Sequence, residues 1–185
     1  MSFKFKKLEQ FDPPQPILIE TDKFTDSRGI FSEIYKRSEF DACGIERDFV
    51  QVNYSISNKD VLRGLHYQLD PFAQGKLITV LQGSIMDVFV DIRKSSKSWL
   101  TYDKIFLSRE RNILLYIPPG YAHGFLSLED DTYLVYSCTN EYNKDFERSI
   151  RWDDPDIDIA WNLENICISN KDAEAPYIKN AEVFE

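Results

Sequence analysis

Short runs in which apolar and polar residues alternate recur along the chain, and they are rich in Val, Ile, Phe and Tyr. A period of two marks half-buried β-strands. It predicts strands at Ile17 to Glu20, Ile30 to Tyr35, Phe49 to Ser55, Val61 to Gln68, Leu77 to Leu81, Ser84 to Ile92, Lys104 to Leu107, Ile113 to Ile117, Ala122 to Ser127 and Tyr133 to Thr139. Turn residues at Asp26 to Gly29, Gln82-Gly83 and Pro118-Pro119-Gly120 separate several of them. Helical periodicity is sparse; the best candidate is a short helix near Ser38, whose hydroxyl is placed to cap SEFDAC with Asp41 three residues on. So many closely spaced strands predict an all-β sandwich or small barrel with short peripheral helices. From Asp153 the chain turns to Trp, Pro and acidic residues, which predicts a loop and a short helix packed on the sheets. No repeat or Gly/Ser linker interrupts the sequence, so residues 1–185 read as one domain.

The same period assigns faces. In Ser84 to Arg93, Met86, Val88, Val90 and Ile92 share one side, while Ile85, Asp87, Phe89, Asp91 and Arg93 share the other. The first side is plain core; the second mixes charge with aromatic surface and suits either water or a polar cavity. Charge then narrows the class. With 22 Lys plus Arg against 31 Asp plus Glu the chain carries −9, which provides no global positive field, so nucleic acid is excluded as a partner. No apolar run is long enough to predict a membrane span. The basic start, MSFKFKKLEQ, leads into a Pro-rich polar stretch instead of an apolar secretory core, which predicts a cytoplasmic location. Cys43, Cys138 and Cys167 are odd in number and form no CxxC pair, so they read as reduced packing residues.

Candidate chemistry centres on two histidines, His66 in RGLHYQ and His123 in PPGYAHGF, the only two in the chain. Imidazole is the side chain whose unperturbed pKa lies near neutrality. Both lie in predicted strands beside glycines, Gly64 and Gly124, where backbone can approach a ligand closely; two hydrogen-bonded structural histidines fit as well. On a regular strand His66 shares its face with Gly64 and Gln68 while Arg63, Leu65 and Tyr67 point away, so uniting Arg63 with His66 needs a bulge or a strand end. Lys76 opens the next strand on the face of Ile78 and Val80, either at a sheet edge or aimed at an anion. Tyr136 shares the face of Leu134 and Cys138, where a buried phenol needs a hydrogen-bond partner. A barrel metal site built on an HxH pair is broken by Gly64 and Gln68, so no metal is expected, with two isolated histidines plus a carboxylate as the open alternative. GxSxG, GxGxxG and GxxxxGK[ST] are all absent. Acid/base chemistry with side-chain anion binding is what remains.

Five segments carry a resemblance: VLRGLHYQ at Val61 to Gln68, QGKL at Gln74 to Leu77, DVFVDIRKSS at Asp87 to Ser96, IPPGYAHGFLSL at Ile117 to Leu128, and ERSIRWDDPDIDIAW at Glu147 to Trp161. In this order, over roughly Asp26 to Pro176, they resemble the dTDP-4-dehydrorhamnose 3,5-epimerase family. The resemblance implies a cupin-type jelly roll, a homodimer in which the N-terminal segment takes part, and an isomerase that needs no metal or other cofactor. It also implies the reaction: dTDP-4-dehydro-6-deoxy-D-glucose is epimerised at C3 and C5 to dTDP-4-dehydro-L-rhamnose. Both carbons flank the C4 ketone, so a proton removed from one face leaves an enolate, and a proton returned to the other face inverts the centre. Two groups on opposite sides are required.

By that resemblance His66 is the general base, with Asp172 on its other ring nitrogen, and Tyr136 delivers the proton from the far face, with Tyr142 the alternative acid. Lys76 would stand near the developing C4 oxyanion and His123 near the sugar. Arg63 would bind the diphosphate, Arg28 and Glu33 would reach into the partner subunit's site, and Gln51, Asn53, Glu147 and Lys171 match further ligand-contacting positions. Val52 stands where an acid is usual and Glu141 where an aromatic is frequent, both toward the nucleotide end. The competing readings are a single-site (C3 or C5) epimerase or ketoisomerase on a related nucleotide sugar, a metal-dependent cupin, and a non-catalytic sugar-binding jelly roll.

Overall fold

The computed structural model describes residues 2–45, 48–162 and 165–185 and stacks two antiparallel sheets face to face. One sheet runs in the order β1 (Phe3–Lys7), β2 (Ile17–Thr21), β10 (Ile113–Ile117), β7 (Lys76–Gln82), β12 (Thr132–Cys138), β5 (Gln51–Ser57). The other runs β13 (Glu147–Ser149), β6 (Leu62–Gln68), β11 (Tyr121–Ser127), β8 (Ser84–Asp91), β9 (Tyr102–Ser108). Sequence neighbours often sit in opposite sheets, so the chain passes repeatedly across the barrel in the cupin-type jelly roll. A separate hairpin, β3 (Phe24–Asp26) with β4 (Gly29–Phe31), and two short helices, α1 (Arg37–Ala42) and α2 (Asn170–Ala173), complete it.

Two apolar clusters follow from the alternation. Ile78, Val80, Ile85, Phe89, Leu107, Phe125 and Leu134 meet between the sheets. Val88, Val90 and Ile92, on the other side of β8, pack with Leu62, Ile150, Ile157, Trp161 and Ile178 of the five-stranded sheet and the C-terminal tail. The tail thus buries what would otherwise be an apolar outer face, and β8 is covered on both sides. The mixed face of that strand turns inward, away from water: Phe89 is fully buried in the cluster between the sheets, and Asp87, fully buried too, meets His123 of the cavity wall. Asp91 is buried as well, accepting from Arg93, Ser96 and Ser98, while Arg93 reaches the Asp12 carbonyl and ties down the N-terminal loop.

Three local expectations need correcting. The helix is capped at Lys36 with no side-chain hydrogen bond, and Ser38 lies inside it. Its anchor is Phe40, which is fully buried and meets Phe3, Phe5 and Tyr35 edge-on; packing decides where this helix sits. The strand expected at Ile30 to Tyr35 is reduced to β4, because it pairs only with β3 and all six hairpin residues are exposed. Conversely, Phe3–Lys7 and Glu147–Ser149 form strands at sheet edges that the periodicity reading leaves as a basic tail and a loop.

Candidate active site

Between the sheets lies a cavity of about 620 Å³ lined by Arg63, His66, Lys76, His123, Phe125, Leu134, Tyr136, Lys171 and Asp172, among others. A smaller hollow of about 170 Å³, lined by Gln51, Asn53, Gln68, Tyr142 and Glu147, shares His66, Lys76 and Tyr136 with it. His66 comes from β6 and Tyr136 from β12, which belong to different sheets. The imidazole and the phenol therefore line one cavity from opposite walls.

A bulge makes this possible on the histidine side. The β6–β11 pairing steps from His66↔His123 to Arg63↔Phe125, so Gly64 and Leu65 both oppose the single Gly124. The extra residue brings Arg63 and His66, which a regular strand would send to opposite faces, into the same cavity. It also explains the glycines. A Cβ on Gly64, at φ +128°, would stand 2.5 Å from the Gly124 Cα and 2.8 Å from the His123 carbonyl oxygen. One backbone presses on another here, and the expected close approach to a ligand is instead an approach between two strands.

His66 Nε2 lies 2.6 Å from Asp172 Oδ1. Asp172 sits on α2, where Ser169 caps the helix by accepting from the Asp172 N–H, and its second oxygen accepts from the Gly64 N–H at 3.4 Å. Burial works to raise its pKa, but the bond and charge of His66, with Gly64 and Ser169 behind them, hold the carboxyl below the ordinary aspartate range. An ionised Asp172 accepts from Nε2–H, which leaves the basic lone pair on Nδ1.

Burial also pushes the Tyr136 phenol up, so that it keeps its proton at neutral pH. Asn53 is its cross-strand partner on β5, and Ile78 its partner on β7. Lys76, half-buried, is neither at a sheet edge nor in solvent; its ammonium donates to the His66 carbonyl at 3.4 Å, and burial lowers its pKa. His123 is 2.9 Å from Asp87 Oδ2. Here burial drives the imidazole down and the carboxyl up, so both lean toward their uncharged forms. Asp87 is the residue that sequence reasoning misses; its one signal is a carboxylate between Ile85 and Phe89 on the mixed face of β8.

At the rim, Arg63 donates to Ser57 Oγ, Gln51 donates to Asn53 Oδ1 and accepts from the Tyr142 N–H, and Glu147 pairs with Lys171 at 2.6 Å. Tyr142 is half exposed and bonds Glu147, whereas Tyr136 lines the larger cavity. Gln68 is spent on the loop beyond β12, donating to the Glu141 carbonyl and accepting from the Asn143 N–H. Among the described residues no three His, Cys, Asp or Glu side chains are grouped to hold a metal ion. Arg28 and Glu33 are not brought to the cavity. The Arg28 side chain is 88 % exposed and bonds Asp26, beside a separate hollow of about 380 Å³ lined by the β3–β4 hairpin.

A sequence profile described as dTDP-4-dehydrorhamnose 3,5-epimerase matches residues 12–180. The chain belongs to this epimerase family. A family member from Shigella flexneri is 44 % identical over 172 residues, covering 92 % of this chain and 95 % of the relative. The crystal structure of the epimerase from Sulfolobus tokodaii superposes with a TM-score of 0.91 at 42 % identity, covering 100 % of both chains. That of the epimerase from Legionella pneumophila, in complex with dTDP-4-keto-L-rhamnose, gives 0.90 at 37 %, covering 97 % of this chain and 94 % of that one. The chain is thus similar to sugar-nucleotide epimerases over nearly its whole length.

Proposed function

We propose that the protein epimerises dTDP-4-dehydro-6-deoxy-D-glucose at C3 and C5 to dTDP-4-dehydro-L-rhamnose, with no cofactor, as a cytoplasmic homodimer. The observation that carries this reading is the pairing of His66–Asp172 with Tyr136 across one cavity. A keto sugar between them presents one face of each acidic carbon to the imidazole and the other to the phenol. His66 Nδ1 takes the proton next to the C4 ketone, and Asp172 stabilises the resulting imidazolium. Lys76, on the same strand face as the cavity, stands ready for the enolate oxygen; a preorganised donor of this kind is typically worth about 3 kcal/mol. Tyr136 returns a proton from the opposite wall, and His123 orients the sugar.

Arg63 and Lys171 supply positive charge for the diphosphate, with Gln51, Asn53 and Glu147 toward the nucleotide. The dimer reading rests on a surface pattern. β5 is the edge of its sheet, and its outward residues Val52, Tyr54 and Ile56 are 66 %, 67 % and 57 % exposed. Phe24, Ile30 and Phe31 of the hairpin are exposed as well. An apolar unpaired edge beside a projecting hairpin is what a second subunit covers, and such a contact would carry Arg28 and Glu33 toward the neighbouring cavity.

Incubation of the purified protein with dTDP-4-dehydro-6-deoxy-D-glucose in deuterium oxide tests the reaction. Label at C3 and C5 is the expected result by NMR; label at one carbon alone reduces the activity to single-site epimerisation, and none at either overturns the reading. Tyr136→Phe should still wash label into the substrate while losing inverted product. Normal product from that variant transfers the acid role to Tyr142.

A further inference from the structure

Three polar groups at the rim are linked in a way that proton transfer does not require. The Glu147 carboxylate is divided: Oε1 lies 2.6 Å from Lys171 Nζ, and Oε2 accepts from the Tyr142 hydroxyl at 3.1 Å. Lys171 lines the larger cavity, Glu147 and Tyr142 line the smaller, and His66 belongs to both. The Glu147–Lys171 pair thus spans the boundary between two parts of one cleft, beside the catalytic dyad.

Lys171 is also the chain neighbour of Asp172 on α2, a helix of four residues. A helix that short holds no position of its own, so its placement depends on what its side chains grip. Asp172 grips His66 inside, and Lys171 grips Glu147 at the rim. The outer grip is loose: the Lys171 side chain is 55 % exposed and the Glu147 side chain 23 %, and ion pairs near water contribute little net stability. An ammonium is a point charge that exchanges one anion for another without a geometric demand. A diphosphate, carrying more charge than a carboxylate, displaces it readily.

We propose that the Glu147–Lys171 ion pair is a bar across the cleft that the substrate opens, its diphosphate taking Lys171 from Glu147 and so joining the two hollows. This rests on the reading of the substrate as a nucleoside diphosphate sugar. Glu147 is then a positioning residue: it holds Lys171, and with it the outer end of the helix that carries Asp172, until the phosphates replace it. Lys171 changes partner on binding, and α2 is drawn toward the nucleotide as it does so.

Calorimetric titration of the intact protein with dTDP, and separately with inorganic diphosphate, tests the exchange. Glu147→Gln keeps the shape of the side chain and removes the competitor, so it should bind dTDP about two- to fivefold more tightly, the scale of a partly exposed ion pair. Lys171→Met should weaken binding, and the double variant should bind like Lys171→Met alone, because the effect of Glu147 runs through Lys171. In turnover, Glu147→Gln should lower KM, because the competitor is lost before the substrate binds, whereas a merely damaged fold raises KM. Weaker dTDP binding by Glu147→Gln, or a gain that survives in the double variant, overturns the bar. Wild-type protein that binds dTDP while Glu147→Gln binds it equally well overturns the bar alone. Wild-type protein that binds neither probe overturns the substrate reading and the bar with it.

Discussion

His66 and His123 are directly paired residues on β6 and β11, and each meets an aspartate, yet the two aspartates are shifted in opposite directions. The His66 side chain is 32 % exposed and its partner Asp172 has a second donor, the Gly64 N–H, on its other oxygen. The His123 side chain is 9 % exposed, Asp87 is fully buried, and Asp87 Oδ1 has no hydrogen-bond partner. An anion with donors on both oxygens and water nearby stays an anion; one with a single donor in an apolar wall is pushed toward its acid form. Identical residue types therefore yield one aspartate held toward its anion beside an accessible imidazole and one pushed toward its acid form in the wall. Only the first suits a general base.

Removing the proposed base is the largest break in that contrast. His66→Ala should lower deuterium exchange at both C3 and C5 by roughly 10³- to 10⁴-fold, the upper range for general base catalysis, while the protein keeps its fold. Residual exchange at one carbon would mean that a second base serves it, with His123 the candidate. The two aspartates come next. Asp172→Asn replaces the anion proposed to stabilise the imidazolium, and kcat should fall by roughly 10²-fold. Asp87→Asn exchanges a carboxyl already driven toward neutrality for a neutral amide, so kcat should change by less than about tenfold. Equal losses in the two variants would show that both pairs carry charge.

The barrel is plainly written in the chain, because alternation of the kind seen in Met86 to Ile92 against Ile85 to Asp91 has meaning only in a sheet with two distinct faces. The bulge is half legible: Arg63 and His66 can share a site only if the strand breaks its period, and Gly64 marks the place, though its close neighbour turns out to be Gly124. The His66–Asp172 contact is not legible from pattern, since 106 residues separate the partners and nothing local in SNKDAEAP points to a strand on the other side of the chain. Resemblance supplies it. Asp87 escapes for the opposite reason: alternation places it on a mixed face, and whether that face meets water depends on the facing sheet. The start of α1 is set by the burial of Phe40, a tertiary effect that outweighs the cap at Ser38.

The finest test of the contrast is the pH dependence of stability. The Asp172 carboxyl is held below its ordinary value of 3.8 in the folded state. Its contribution is therefore fully present above that value and is lost as pH falls through the lower folded value. The stability of wild type relative to Asp172→Asn, read from denaturant titrations, should hold from about pH 7 to about pH 4 and shrink below it. Asp87 is shifted the other way. The folded protein binds that proton more tightly than the unfolded chain does, so stability is lost as pH rises from the ordinary value through the raised one. Wild type should then lose ground to Asp87→Asn with rising pH. Opposite slopes for the two variants are expected, and parallel slopes would mean that the two carboxyls share one environment despite the orphaned Oδ1 of Asp87 and the doubly bonded anion of Asp172.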